Sequence, residues 1–153
     1  MSNTDDLCQQ LQTLWQVHFP LSKAMGLEVV SFADHCLTTR APLSLNTNIH
    51  DTAFAGSLYA IQAMTAWGAL YLEIARAGLS ASIIHAHGEI DFAKTVNTDI
   101  IAVCDFSDHA ARIGEFQDTG KIRLTLTTEV STSDGLASAF SGDYLARRVR
   151  ADQ

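Results

Sequence analysis

From Ala53 to Leu72 the chain carries no charged side chain, and the apolar residues of that run fall on every side of a helical wheel rather than in one stripe. A helix of that kind must be surrounded by protein or lie in lipid. The run is about twenty residues, long enough to span a bilayer. It is rich in alanine, however, and holds Gly56, Ser57, Gln62, Thr65 and Gly68, with no Lys or Arg flanking its start. The segments around it alternate like strands of a sheet. The expectation is therefore a buried helix over residues 54–77 covered by a sheet, with no membrane partner. Its first turn, Ala55-Gly56-Ser57, brings small residues and bare amides to the helix N-terminus, where partial positive charge can receive a developing anion.

A length of 153 residues fits one domain over 1–153. The net charge of -7 argues against a nucleic-acid partner, which wants a basic stripe. The content, 47% hydrophobic and 18% charged, excludes a disordered chain. Cys8, Cys36 and Cys104 are odd in number and widely spaced, with no CxxC pair. That argues against a disulfide framework or a zinc cage and points to a reducing, cytoplasmic setting. The polar, acidic start Met1–Asp6 is unlike a signal peptide.

Asn3 or Thr4 caps a first helix over 4–19, with Leu7, Leu11, Leu14, Trp15 and His18 at helical spacing and Pro20 ending it. Met25–Ala33 and Cys36–Ala41 read as a hairpin turning at Asp34-His35. A polar segment, Ser44–Thr52, feeds the central helix, and Gly78 closes it. Ser82–Phe92 alternates, with Ile84, Ala86, Gly88, Ile90 and Phe92 on one face and His85, His87, Glu89 and Asp91 on the other. Thr98–Phe106 is apolar on both faces. A short helix is expected around Ala110–Gln117, then two more strands, Lys121–Ser131 and Leu136–Arg147, joined at Ser133-Asp134-Gly135. The fold class is α+β, a largely antiparallel sheet wrapped around one long central helix.

This order resembles the hotdog fold from about Pro20 to Arg147. More specifically it is similar to the thioesterase domain found alone, or fused behind an acetyltransferase domain, in bacteria. The residues that carry the resemblance are Pro20-Leu21-Ser22 with Met25-Gly26, Asn48 through Thr52-Ala53-Phe54-Ala55-Gly56-Ser57-Leu58, Trp67-Gly68, Asp91-Phe92-Ala93-Lys94 and Gly120-Lys121. The resemblance implies hydrolysis of an acyl-CoA thioester by a homodimer or dimer of dimers. Sites lie at the interface, and no cofactor is needed beyond the CoA thioester itself. The carbonyl is polarised by an amide at the start of the central helix. Asn48 takes the position of an Asn that contacts substrate or water, and Phe54-Ala55-Gly56 that of a His-Gly-Gly turn. A carboxylate position falls at Ala63, and no acidic residue follows on the helix until Glu73.

Either the base comes from elsewhere, or the protein binds thioesters without hydrolysing them quickly. His85 is near the position of a polar residue that related enzymes supply across the dimer. A neutral imidazole there accepts a proton from water. The catalytic candidates are Asn48, Gly56 and His85. The substrate-binding candidates are Asn46, His50, Thr52, Ala55, Ser57, Gln62, Thr65 and Lys94, the last for a CoA phosphate. Arg112, Lys121 and Arg123 are further positive groups. A metal is not expected, since only His85 and His87 could share an ion and no third ligand is placed. The alternatives are a non-catalytic acyl-thioester binding module and a hotdog hydratase or dehydratase. The strand from Ser82 is the expected dimer edge, and Met64, Trp67 and Tyr71 the expected walls of the acyl tunnel.

Overall fold

The computed structural model describes residues 3–150. Asn3 caps α1 (Thr4–His18), accepting from the Asp5 amide at 3.4 Å, and Asp5 and Asp6 occupy the first turn, where the helix dipole favours carboxylates. Leu7, Leu11 and Trp15 form its buried stripe. Pro20 does more than stop this helix. It opens a second, α2 (Pro20–Ala24), at the position where a missing N–H costs nothing. Gly26, at φ +64°, then turns the chain, so β1 starts three residues later than its apolar pattern suggests, at Glu28–Ala33. Asp34 and His35 both have positive φ, 50° and 64°, the backbone of a tight two-residue hairpin leading into β2 (Cys36–Ala41).

The long helix, α3 (Ala55–Arg76), begins after Phe54 and closes at Gly78, φ +75°. It is followed by β3 (Ala81–Phe92), β4 (Ile100–Asp105), α4 (Arg112–Thr119), β5 (Lys121–Thr132) and β6 (Gly135–Arg148). The six strands form one sheet in the order β1-β2-β4-β5-β6-β3, and every neighbouring pair is antiparallel. α3 packs against β2 to β6 on one face of that sheet. β4 is covered on that face only: Ile100, Ala102 and Cys104 are buried, whereas Ile101 and Val103 look outward and are partly exposed. β4 is thus an interior strand that is apolar on both faces, as its sequence reads, but covered by α3 on one.

α3 is not covered all round either. Leu58, Ile61, Ala66, Ala69, Leu70 and Leu72 are buried in the core, but Ala60, Ala63, Met64, Trp67, Tyr71 and Ala75 are only half-buried. α1 borders this flank, and it approaches closely at Gly68, where an added Cβ would lie 2.7 Å from the Trp15 ring. Among the described residues no helix is long and apolar enough to cross a membrane.

Candidate functional site

The loop before α3 is built by its own side chains. Asn46 is buried and donates from Nδ2 to the carbonyls of Met25 (2.9 Å) and Pro42 (2.8 Å), while its backbone carbonyl receives the Phe54 amide at 2.7 Å. Asn48 Oδ1 accepts from the amides of His50 (2.8 Å) and Thr52 (3.3 Å), and its Nδ2 donates to Thr52 Oγ1 at 2.9 Å. Asp51 makes the turn at φ 58°. The Ala53 amide is fixed to the Val96 carbonyl at 2.8 Å. Together these bonds deliver the chain to Phe54, the N-cap, which has no side-chain acceptor to offer. The amides of Ala55, Gly56 and Ser57 belong to the first turn and have no intrahelical acceptor. Phe54 lies against Gly56 so closely that a Cβ there would meet its ring at 2.4 Å.

A cavity of about 370 Å³ opens beside this helix end, lined by Asn48, His50, Thr52, Ala55 and Lys94 together with Phe92. Lys94 is steadied by a hydrogen bond from Nζ to the carbonyl of Asp134 in the β5–β6 turn. The structure thus brings five of the candidate residues to one place, with Gly56 and Ser57 next on the helix.

It does not bring Asn46, Gln62 or Thr65 there. The Thr65 hydroxyl donates to the Ile61 carbonyl at 2.7 Å and takes a hydrogen bond from Thr39 at 2.7 Å, which ties α3 to β2. Gln62 Nε2 donates to Ser138 Oγ at 2.8 Å, and the Gln62 carbonyl receives Thr128 Oγ1 at 3.1 Å, which ties α3 to β6 and β5. Read from the sequence as substrate contacts, these three are fully or almost fully buried and serve as pins of the fold. Asn48, read as touching substrate or water, spends both ends of its amide on the loop.

The faces of β3 also differ from the alternating pattern. His85 pairs with Tyr144 and His87 with Asp143, so Ala86 is the extra residue of a β-bulge. Beyond it the faces continue as read, with Gly88 and Ile90 inward. Before it they are exchanged: Ile83 and His85 turn toward α3, and Ile84 turns out, 58% exposed. His85 therefore parts from His87, Glu89 and Asp91. Its imidazole stacks on the Tyr144 ring, with centroids 4.6 Å apart and planes at 11°. Its Nε2 lies 2.7 Å from the His87 carbonyl. A carbonyl only accepts, so Nε2 carries the proton and Nδ1 is the acceptor of the neutral ring.

His85 lines a second, smaller cavity of about 130 Å³ together with Ala63, Met64, Trp67 and Tyr144. Tyr144 donates to the Ala63 carbonyl at 2.6 Å, and burial pushes its phenol pKa far up. The position where the resemblance places a carboxylate thus faces a space whose wall is an imidazole. Glu73, the first acid on the helix, is elsewhere. It is buried at the far end, bonded to His35 Nδ1 (2.8 Å) and Arg76 (2.6 Å), and fastens the β1–β2 turn. The first cavity and the second share no lining residue.

Residues 8–148 match the profile of a family described as "Putative thioesterase (yiiD_Cterm)". The chain belongs to this family. Among solved structures, it is similar to a thioesterase of that same tentative description from Shewanella oneidensis. They share 28% identity at a TM-score of 0.87, over 94% of this chain and 99% of that one. A protein of unknown function from Chlorobaculum tepidum matches with 27% identity and a TM-score of 0.87, over 95% of this chain and 97% of that one. A Haemophilus influenzae thioesterase shares the fold at 10% identity and a TM-score of 0.69, over 100% of this chain and 96% of that one. The family assignment supports thioester hydrolysis in general, and the antiparallel sheet with its long helix is the architecture these relatives have in common.

Proposed function

We propose that the protein hydrolyses an acyl-CoA thioester as a homodimer, at sites each shared between two copies. The observation that carries this reading is the bulge at Ala86, because it turns His85 into the pocket beside Ala63, where a base is otherwise missing. The amides of Ala55 and Gly56 polarise the thioester carbonyl, each donor contributing about 2.7–4 kcal/mol once the oxyanion forms. Asn48 and Thr52 hold the loop that presents them. Lys94 meets a phosphate of CoA. His85 accepts a proton from water at Nδ1 as the water oxygen bonds to the carbonyl carbon. The tetrahedral intermediate then breaks its C–S bond, and the departing thiolate takes that proton back, leaving a carboxylic acid and free CoA.

Within one chain, Ala55 and Ala63 are about 12 Å apart along the helix axis at 1.5 Å per residue. That separation suits a site in which the amides come from one copy and His85 from the other. β3 is one of the two edge strands of the sheet and carries the exposed Ile84, which suits pairing with a second copy.

The test mixes two variants. Ala55→Pro removes an amide at the helix position that tolerates proline, and His85→Phe removes the base. Each alone is expected to release almost no thiol from acyl-CoA, and the unfolded and co-refolded mixture is expected to recover about a quarter of wild-type turnover, as random pairing across a two-fold axis gives. A mixture no better than its parents counts against the shared site. A second reading, a binding module without turnover, is favoured by Ala63 and by the engagement of Asn48 within its loop. Binding of acyl-CoA without thiol release would decide for it.

A further inference from the structure

The 130 Å³ pocket is partly open, and aromatic packing holds its walls. On one side, Phe19 packs edge-on against Trp67, with centroids 5.4 Å apart, and Trp67 stacks on Tyr71 at 5.6 Å. On the other, His85 lies flat on Tyr144, whose hydroxyl is bonded to α3. Trp15, fully buried, closes the end toward α1, and its indole N–H has no acceptor among the described residues. Ala63 is the one small side chain of the lining, and almost all of the surface the pocket presents is apolar.

A pocket so lined takes an apolar group rather than a charged one. A dry cavity of about 150 Å³ accepts a benzene molecule, so the part of this half-open pocket that lies within its walls has room for roughly five carbons. Resting on the reading of His85 as the base, we infer that the acyl end of the substrate seats here, directly past the reacting carbonyl. The pocket then selects short acyl groups of about four to six carbons, with Phe19 and Ala63 setting the limit. Longer chains meet Trp15 and the Phe19–Trp67 pair. Acetyl leaves the pocket unfilled.

The test measures calorimetric affinity and turnover for acetyl-, butyryl-, hexanoyl- and decanoyl-CoA in wild type, Phe19→Ala and Ala63→Leu, each checked for fold by circular dichroism. In wild type, affinity is expected to rise about fourfold per methylene, the equivalent of ~0.8 kcal/mol each, up to hexanoyl, and to fall by decanoyl. Phe19→Ala is expected to raise decanoyl at least tenfold relative to butyryl. Ala63→Leu, which fills the pocket, is expected to lower hexanoyl at least tenfold relative to acetyl. If one of the two fails to fold, the other decides.

The same chain-length ranking in wild type and the folded variants overturns the inference. Affinity that follows chain length without any turnover keeps the pocket and removes the hydrolase reading. Turnover indifferent to chain length does the reverse. Absence of binding to every acyl-CoA overturns both.

Discussion

The His85 imidazole lies on the Tyr144 phenol at a centroid distance of 4.6 Å, and the same phenol donates a hydrogen bond to the α3 carbonyl of Ala63 at 2.6 Å. A strand residue, a strand partner and a helix residue are thereby joined into one wall. His85→Phe keeps an aromatic ring on Tyr144 and removes both ring nitrogens. The melting temperature is expected to change by only a few degrees, while thiol release falls about 10²–10⁴-fold, the usual contribution of a general base. Thermal melting alongside the thiol assay checks it. Equal losses of stability and turnover would make His85 a packing residue.

Asn48 accepts two loop amides, those of His50 and Thr52. Asn48→Ala orphans them and is expected to cost about 1–2 kcal/mol in urea unfolding. Asn48→Asp retains the acceptor oxygen and is expected to recover most of that loss together with turnover. If Asn48 acted on substrate through its Nδ2, the Asp variant would be stable and as inactive as the Ala variant.

Glu73 is 3% exposed, whereas Arg76 and His35 are 42% and 36% exposed. That difference makes the ion-pair cluster unequal to mutation. Glu73→Gln releases Arg76 and His35, both of which water can solvate, at a cost of about 1–3 kcal/mol. Arg76→Ala combined with His35→Ala strands a buried carboxylate and is expected to cost more, about 3–5 kcal/mol. Chemical denaturation of both variants checks the order. The reverse order would show that Glu73 is solvated in the folded chain.

Alkaline pH should unfold the protein through two buried acids. Burial pushes the Cys104 thiol up to about 12 from an ordinary 9.0, and it raises the Tyr144 phenol above the ordinary phenol range. Both pKa values are raised on folding, so the neutral forms favour the fold. Their contribution is whole below the unfolded values and is lost as pH rises beyond them. For Cys104 the loss runs from pH 9 to about 12, at about 1.4 kcal/mol per pH unit. Urea midpoints measured across that range should fall less steeply in Cys104→Ala than in wild type. Parallel slopes would mean that Cys104 ionises within the fold.

Elements whose determinants are local were legible in the sequence. The Asn3 cap, the Asp34-His35 turn, the glycine after α3 and the inward Ile122, Leu124 and Leu126 of β5 stand where the pattern puts them. The bulge was not legible, because alternation reports a face only while the register is unbroken. Ile84 and Ala86 continue an apolar pattern straight through it. One signal was available, a glycine inside the strand. Gly88 lies opposite Gly142; a Cβ on Gly88 would meet the Tyr59 hydroxyl at 2.1 Å and one on Gly142 the Phe140 ring at 2.7 Å, with His85 Nε2 next at 3.1 Å and 3.0 Å, so the glycine pair makes room for Tyr59 and Phe140 together with the inward ring. The roles of Gln62 and Thr65 were equally hidden, since a polar residue on an apolar helix reads the same whether it meets a ligand or a strand. The gathering of Asn48, His50, Thr52 and Ala55 followed from their nearness in sequence, whereas Lys94 joins them only through the end of β3.

The most direct measurement is free-thiol release by the wild-type protein from a series of acyl-CoAs, followed with a thiol-reactive dye beside His85→Phe. The expected result is steady turnover on the short-chain members and at least a hundredfold loss in the variant. A folded wild-type protein that releases no thiol from any member of the series contradicts the account.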